Sequence, residues 1–174
     1  MIRTSLLLLT LLIGSVSYAQ DDAISLFFSD YAESESFTKV SISSKMFQLF
    51  TLIEGNDEEE KEVLEAISGI KGLKIISTSD VADGKAMYRK ALSKPGKTYE
   101  ELMTVKDGEE DLSFFIRENG GKIAELLMIT GGKNNFLVLS LVGNIDLNQV
   151  AKLSRSMDIG GMKQLEKIDE KPAK

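Results

Sequence analysis

The sequence predicts an α+β fold, a mostly antiparallel sheet of about six strands with helices packed on it, preceded by a signal peptide. Three observations carry that expectation. The first half reads as short amphipathic helices interleaved with two strands. Pro95-Gly96 then breaks the chain, and the second half reads as four strands joined by glycine-rich turns. With 174 residues, 43% of them apolar, the chain can bury one substantial core. Pieces of roughly 75 residues on either side of Pro95 would each have a thin core, so a single domain over residues 20–165 is expected.

The first element is an address rather than structure. Arg3 supplies a positive start, Leu6 to Val16 form an apolar run, and Ser17-Tyr18-Ala19 places small residues at the positions a signal peptidase reads. A run of about 11 residues is too short for a bilayer, which needs roughly 20. Cleavage after Ala19 leaves no stable membrane anchor, and no cysteine is present to take a lipid. The expected location is the periplasm or the exterior.

Ile24, Phe27, Phe28 and Tyr31 repeat at helical spacing and predict a first helix. Phe37 to Ser43 alternates as a strand does. Ser44 is the expected cap of a second helix whose Met46, Phe47, Leu49, Phe50 and Ile53 face inward, with Gly55 as its stop. Asn56 then caps a third helix, with Asp57 to Glu60 in the first turn, where negative charge meets the positive end of the dipole. Val63, Leu64, Ala66, Ile67 and Ile70 form its apolar side. Leu73 to Thr78 predicts a strand, Ser79 or Asp80 a cap, and Met87, Tyr88, Ala91 and Leu92 the inner side of a fourth helix.

After Pro95 the expected strands are Tyr99–Lys106, Leu112–Glu118, Lys122–Thr130 and Asn135–Gly143. Asp107-Gly108, Asn119-Gly120-Gly121 and Gly131-Gly132-Lys133-Asn134 join them as tight turns, which makes an antiparallel meander. The last two strands are apolar on both sides, with Ile123, Leu127 and Ile129 on one and Leu126 and Met128 on the other, so they belong mid-sheet. Asp146 caps a final helix with Leu147, Val150 and Ala151 inward and Gln149 set for a capping box; Gly160-Gly161 ends it. The charged stretch 166–174 predicts a disordered tail.

The chain has no His and no Cys, which removes the Ser-His-Asp triad, thiol catalysis and the usual zinc sites. No catalytic residue, metal site or cofactor is predicted. A formal charge of −6 makes nucleic acid a poor partner, because like charges repel. Ser36-Phe37-Thr38-Lys39 and Ser68-Gly69-Ile70-Lys71 match a Ser-Lys spacing no more often than composition alone provides. Gly96-Lys97-Thr98 resembles the end of a phosphate loop, but it follows a helix and precedes a strand, the reverse of what that loop needs. The acidic run from Asp57 to Glu62 lacks the spacing that wraps calcium. The scattered methionines read as core filler.

Two carboxylates remain as candidate site residues. Glu101 and Glu125 sit on strands between apolar neighbours, where desolvation raises a pKa. As a hydrolytic pair they would need a cleft and a separation of roughly 5 to 9.5 Å. The simpler expectation is that each points to solvent or a sheet edge.

The blocks Ser41–Phe47, Tyr99–Lys106, Gly121–Met128 and Gly143–Leu147 together resemble the domain of unknown function 4252 family, over roughly Asp22 to Met157. The resemblance implies an exported protein of Bacteroidetes-type bacteria in a periplasmic setting, and it carries over no catalytic residue. It also implies a gene neighbourhood near extracytoplasmic-function sigma factors, hence the alternative of an envelope-stress or signalling accessory. The function expected first is a non-enzymatic protein that binds an unknown protein or small ligand of the envelope through a sheet face or an exposed strand edge.

Overall fold

The computed structural model describes residues 23–31, 34–52, 58–148 and 150. The expected leader, Ile53, Gly55, the Asn56 cap, Gln149, Ala151, Gly160-Gly161 and the tail lie outside them. In chain order the elements are α1 (Ala23–Asp30), β1 (Thr38–Ser43), α2 (Ser44–Phe50), α3 (Glu58–Ser68), β2 (Ile70–Thr78) and α4 (Gly84–Ala91). The four strands β3 (Glu100–Lys106), β4 (Asp111–Asn119), β5 (Lys122–Gly131) and β6 (Phe136–Ile145) follow.

All six strands form one antiparallel sheet in the order β1-β2-β6-β5-β4-β3. The fold is α+β, as the pattern predicts. The meander is its β3-to-β6 half; β2 adds to the free side of β6, and β1 closes that flank. The doubly apolar strands β5 and β6 lie at the centre. Their hairpin partner turns at Gly120 and Gly121, both with positive φ, between the paired residues Asn119 and Lys122.

Each face of the sheet carries its own apolar cluster. On one face Ile24 and Phe27 of α1 and Tyr88 and Ala91 of α4 cover Ile76, Phe115, Leu127, Ile129 and Val138. On the other, Phe47 of α2 and Val150 join Phe114, Leu126, Met128, Leu139 and Leu141, with Ile67 of α3 and Leu147 packed beside them. The turn at Asp146 begins as a helix should: its side chain accepts from the Asn148 N–H at 2.9 Å and its carbonyl from the Val150 N–H at 3.0 Å.

Five local expectations are corrected. Of the α2 residues expected inside, only Phe47 is buried; Met46, Leu49 and Phe50 are exposed. A seven-residue helix laid over β1 and β2 at the sheet's flank has one position that meets the sheet. The N-cap is Ser43, whose side chain makes no capping bond. The cap of α4 is Asp83, which accepts from the Ala86 N–H at 2.8 Å; residues 79 to 83 are the loop that carries it there. Ile70 opens β2 instead of ending α3, and Ile123 joins the α2 face, away from Leu127 and Ile129. The last shift follows from a bulge between Ile123 and Glu125, because one extra residue reverses the alternation of side chains.

The N-terminus of α4 is held against the β5–β6 connection. Gly84 donates its N–H to the Lys133 carbonyl at 3.2 Å and Val81 to that of Asn134 at 3.0 Å. A Cβ on Gly84 would stand 1.9 Å from the Asn135 carbonyl oxygen, and one on Gly131 would stand 2.3 Å from that of Gly84. Glycine is required here by backbone contact. Gly84→Ala is therefore expected to lower stability by about 1–3 kcal/mol. Gly96→Ala, with nothing within 4 Å of the added carbon, should leave the urea midpoint unchanged.

Candidate functional site

The two candidate carboxylates have opposite surroundings. Glu101 is exposed on the edge strand β3. Glu125 is 0% exposed, on the α1/α4 face of central strand β5, so this side chain does not point to solvent or to an edge.

A buried carboxylate is tolerable only if its oxygens are matched by donors. Three converge on Glu125. Arg117 of β4 donates from Nη2 to Oε2 at 2.9 Å, the Tyr99 hydroxyl donates to the same oxygen at 2.7 Å, and the Ser140 hydroxyl of β6 donates to Oε1 at 2.7 Å. The Arg117 guanidinium carbon also lies 5.8 Å from the centre of the Tyr99 ring. Arg117 is itself only 15% exposed. Burial alone would lower its pKa; hydrogen bonds with Tyr99 and Glu125 outweigh that and raise it, so the cation is permanent.

Glu101 terminates a second polar chain. Thr104 donates its hydroxyl to Glu101 Oε1 at 3.0 Å, so its oxygen must accept from Ser113, which lies within hydrogen-bond distance. Ser113, its own proton spent, then accepts from the Tyr88 hydroxyl at 2.7 Å. One exposed carboxylate thus orients three hydroxyls down to a buried phenol under α4.

The two carboxylates are not a pair. Glu101 lies beside Phe115 and Glu125 beside Arg117, with β4 between them, so two strand spacings of about 4.8 Å separate their backbones. Their side chains serve different networks.

Open hollows lie elsewhere, at the two ends of the sheet. One, of about 820 Å³, is lined by Asp83, Lys85, Glu109, Glu110, Lys133 and Asn135 among others. Its polar groups largely satisfy one another: Lys85 donates to the Gly108 carbonyl at 2.8 Å and Asn135 to Glu110 at 2.8 Å. The second, of about 510 Å³, lies between the β4–β5 turn and Asp146. Among the described residues no cluster of three or more acidic side chains is placed to hold a metal, and no helix is long and apolar enough to cross a membrane. Ser68 of the second Ser-Lys candidate, at the end of α3, donates to the Glu65 carbonyl at 2.7 Å, and Gly96 to Thr98 form an exposed turn.

The most prominent surface feature is apolar. Val40 of β1 is 37% exposed, Met46, Leu49 and Phe50 of α2 are 46%, 48% and 38% exposed, and Leu52 reaches 77%. The sequence signal for it was present in the excess of apolar positions on a short helix. Arg117, Tyr99 and Ser140 gave no comparable signal, because three different strands or loops supply them.

An α+β protein whose buried carboxylate is matched by three donors, with an exposed apolar flank among the described residues, is the class that this fold defines. The chain belongs to the family described as Domain of unknown function (DUF4252), whose model matches residues 31–153. No curated protein matches it. Among solved structures, the extracellular domain of PknH from Mycobacterium tuberculosis aligns over 84% of this chain and 92% of its own. Its identity is 10% and its TM-score 0.26, a likeness too distant to carry an argument.

Arg117→Met should leave the Glu125 carboxylate buried without its counter-ion, at a cost of about 3–5 kcal/mol in urea unfolding. Adding Glu125→Leu to that variant should restore most of the loss, since the double change buries no charge. At the β3–β4 turn, N–H groups of Glu110 and Glu109 reach Asp107 Oδ1, both at 2.9 Å, and hold its pKa below the ordinary value. Its stabilising effect is complete above the ordinary aspartate pKa of about 3.9 and is lost as pH falls through the depressed value. Amide exchange at residues 108–110 should accelerate across that acid window, and Asp107→Asn should abolish the pH dependence.

Proposed function

We propose that this chain is an exported, non-enzymatic binding protein of the cell envelope, acting through the surface that β1 and α2 present. The observation that carries the reading is the apolar flank Val40, Met46, Leu49, Phe50 and Leu52, beside a strand whose outer edge has no neighbour in the sheet among the described residues. Contiguous exposed apolar surface of this kind marks interaction sites. An open antiparallel edge supplies main-chain donors and acceptors to a partner.

The chain's chemistry supports the same reading. It has no imidazole and no thiol, and the carboxylate best shielded from water spends both oxygens on protein donors. The leader pattern of residues 1–19 and the family membership support export, with one domain expected from residue 20 onward.

A photoreactive amino acid placed at Leu49 or Leu52 and irradiated in the intact host should yield covalent protein adducts. The same group at exposed Glu118 on β4 should yield none. Adducts from neither flank position would overturn the contact reading. So would turnover of any substrate by the purified protein that Glu101→Gln or Glu125→Gln abolishes.

A further inference from the structure

We propose that Asn119 is a site of spontaneous covalent modification: the Gly120 amide nitrogen attacks the Asn119 side chain, and of three such pairs in the chain the fold leaves this one free to react. This chemistry is separate from the β1/α2 flank and from the contacts made there.

The three pairs are Asp83-Gly84, Asp107-Gly108 and Asn119-Gly120. In each, a side-chain carbonyl carbon precedes an amide that no Cβ shields, which is the arrangement that ring closure needs. The fold treats them differently. At the start of α4 the Asp83 carboxylate accepts from the Ala86 N–H at 2.8 Å, and the Gly84 N–H is held by the Lys133 carbonyl at 3.2 Å. At the β3–β4 turn the Glu110 and Glu109 N–H groups bind Asp107 Oδ1, both at 2.9 Å, and keep its pKa low. A tethered anion is a poor target for a nucleophile.

Asn119 carries none of these restraints. It and Gly120 are exposed, and among the described residues neither its side-chain amide nor the Gly120 N–H has a hydrogen-bond partner. Gly120 and Gly121 have φ of 61° and 74°, and a Cβ on either would meet nothing within 4 Å, so the turn stands in open space. The bulge between Ile123 and Glu125 separates the Asn119–Lys122 and Glu118–Ile123 pairs from the rest of the β4–β5 ladder. A pair at the end of a ladder opens at small cost, which lets the peptide plane rotate and the nitrogen reach Cγ.

The Gly120 N–H proton passes to hydroxide, the nitrogen bonds to Asn119 Cγ, the Cγ–Nδ2 bond breaks, and ammonia leaves with a proton from water. Water then opens the succinimide ring at either carbonyl. Opening at Cγ gives an aspartate at position 119; opening at the main-chain carbonyl gives an isoaspartate, whose backbone runs through the former side chain. Either product adds a negative charge beside Glu118, and isoaspartate lengthens the two-residue turn that sets the β4–β5 register. The same turn, from Gly121 to Ile123, lines the hollow of about 510 Å³ next to Asp146.

Purified protein incubated at neutral pH, native and in urea, can be mapped by peptide mass spectrometry and by isoaspartyl methyltransferase labelling. Dividing the native rate at each position by its rate in urea removes the intrinsic difference between an amide and a carboxylate. At position 119 the native rate should stay within a few fold of the unfolded one. At positions 83 and 107 the ratio should be at least about tenfold lower, because the bonds above must break first. Asn119→Gln, whose longer side chain closes a larger ring, should lose the native product while keeping the urea midpoint. No isoaspartate at position 119 in native protein, a ratio there as low as at the two aspartates, or undiminished labelling of native Asn119→Gln would each overturn the proposal.

Discussion

Glu125 has lost all contact with solvent, and a carboxylate so placed needs a cation and matched donors at fixed positions. Those positions are set by the bulge between Ile123 and Glu125. Counting back from the Asn119–Lys122 pair, an unbroken hairpin would oppose Arg117 to Ala124 and aim Glu125 into the apolar face of Leu126, Met128 and Phe114. The extra residue turns Glu125 to the other side, level with Arg117 and within reach of Tyr99 and Ser140. A slip of β4 or β6 against β5 by one residue would strand the charge. Whatever the pair adds to stability, it penalises every alternative register of the three central strands.

The same constraint separates what the molecule buries from what it offers. On the α1/α4 face the polar groups are spoken for: Glu125 takes three donors, and the Tyr88, Ser113 and Thr104 hydroxyls run in one direction to Glu101. Lys74, across from Ser140, reaches the Ser25 hydroxyl of α1 at 3.2 Å. Groups so committed hold strands and helices in place. A reacting group must be free to gain and lose partners, and Glu125, holding three donors, is not.

Much of the fold was legible because it is local. Turns at Asp107-Gly108 and Asn119-Gly120-Gly121 need particular backbone angles, and the strands between them alternate or run apolar according to their place in the sheet. Strand limits fall within a few residues of those read from the pattern. The joining of β2 to β6 was not legible, since a pairing between residues some 65 positions apart leaves no local trace. The bulge was equally hidden, because one inserted residue alters no composition. That is why Glu125 could be singled out from the sequence while its partners could not. On α2 the failure was different: Met46, Leu49 and Phe50 look like core residues by type, and only the width of the sheet decides how many of them it can cover.

That last point bears on why the flank exists. An apolar side chain at the surface costs little alone, and an open strand edge is commonly blunted by charge or a bulge. This chain blunts β3 in both ways. At β1 it leaves the edge regular and places Val40, Met46, Leu49 and Phe50 beside it, which is the combination that favours association. Replacing Met46 or Leu49 by a lysine or glutamate would cost the core little, because Phe47 is the α2 residue in the buried cluster. Folding therefore does not require apolar residues at those two positions. The requirement that remains is for something to touch them.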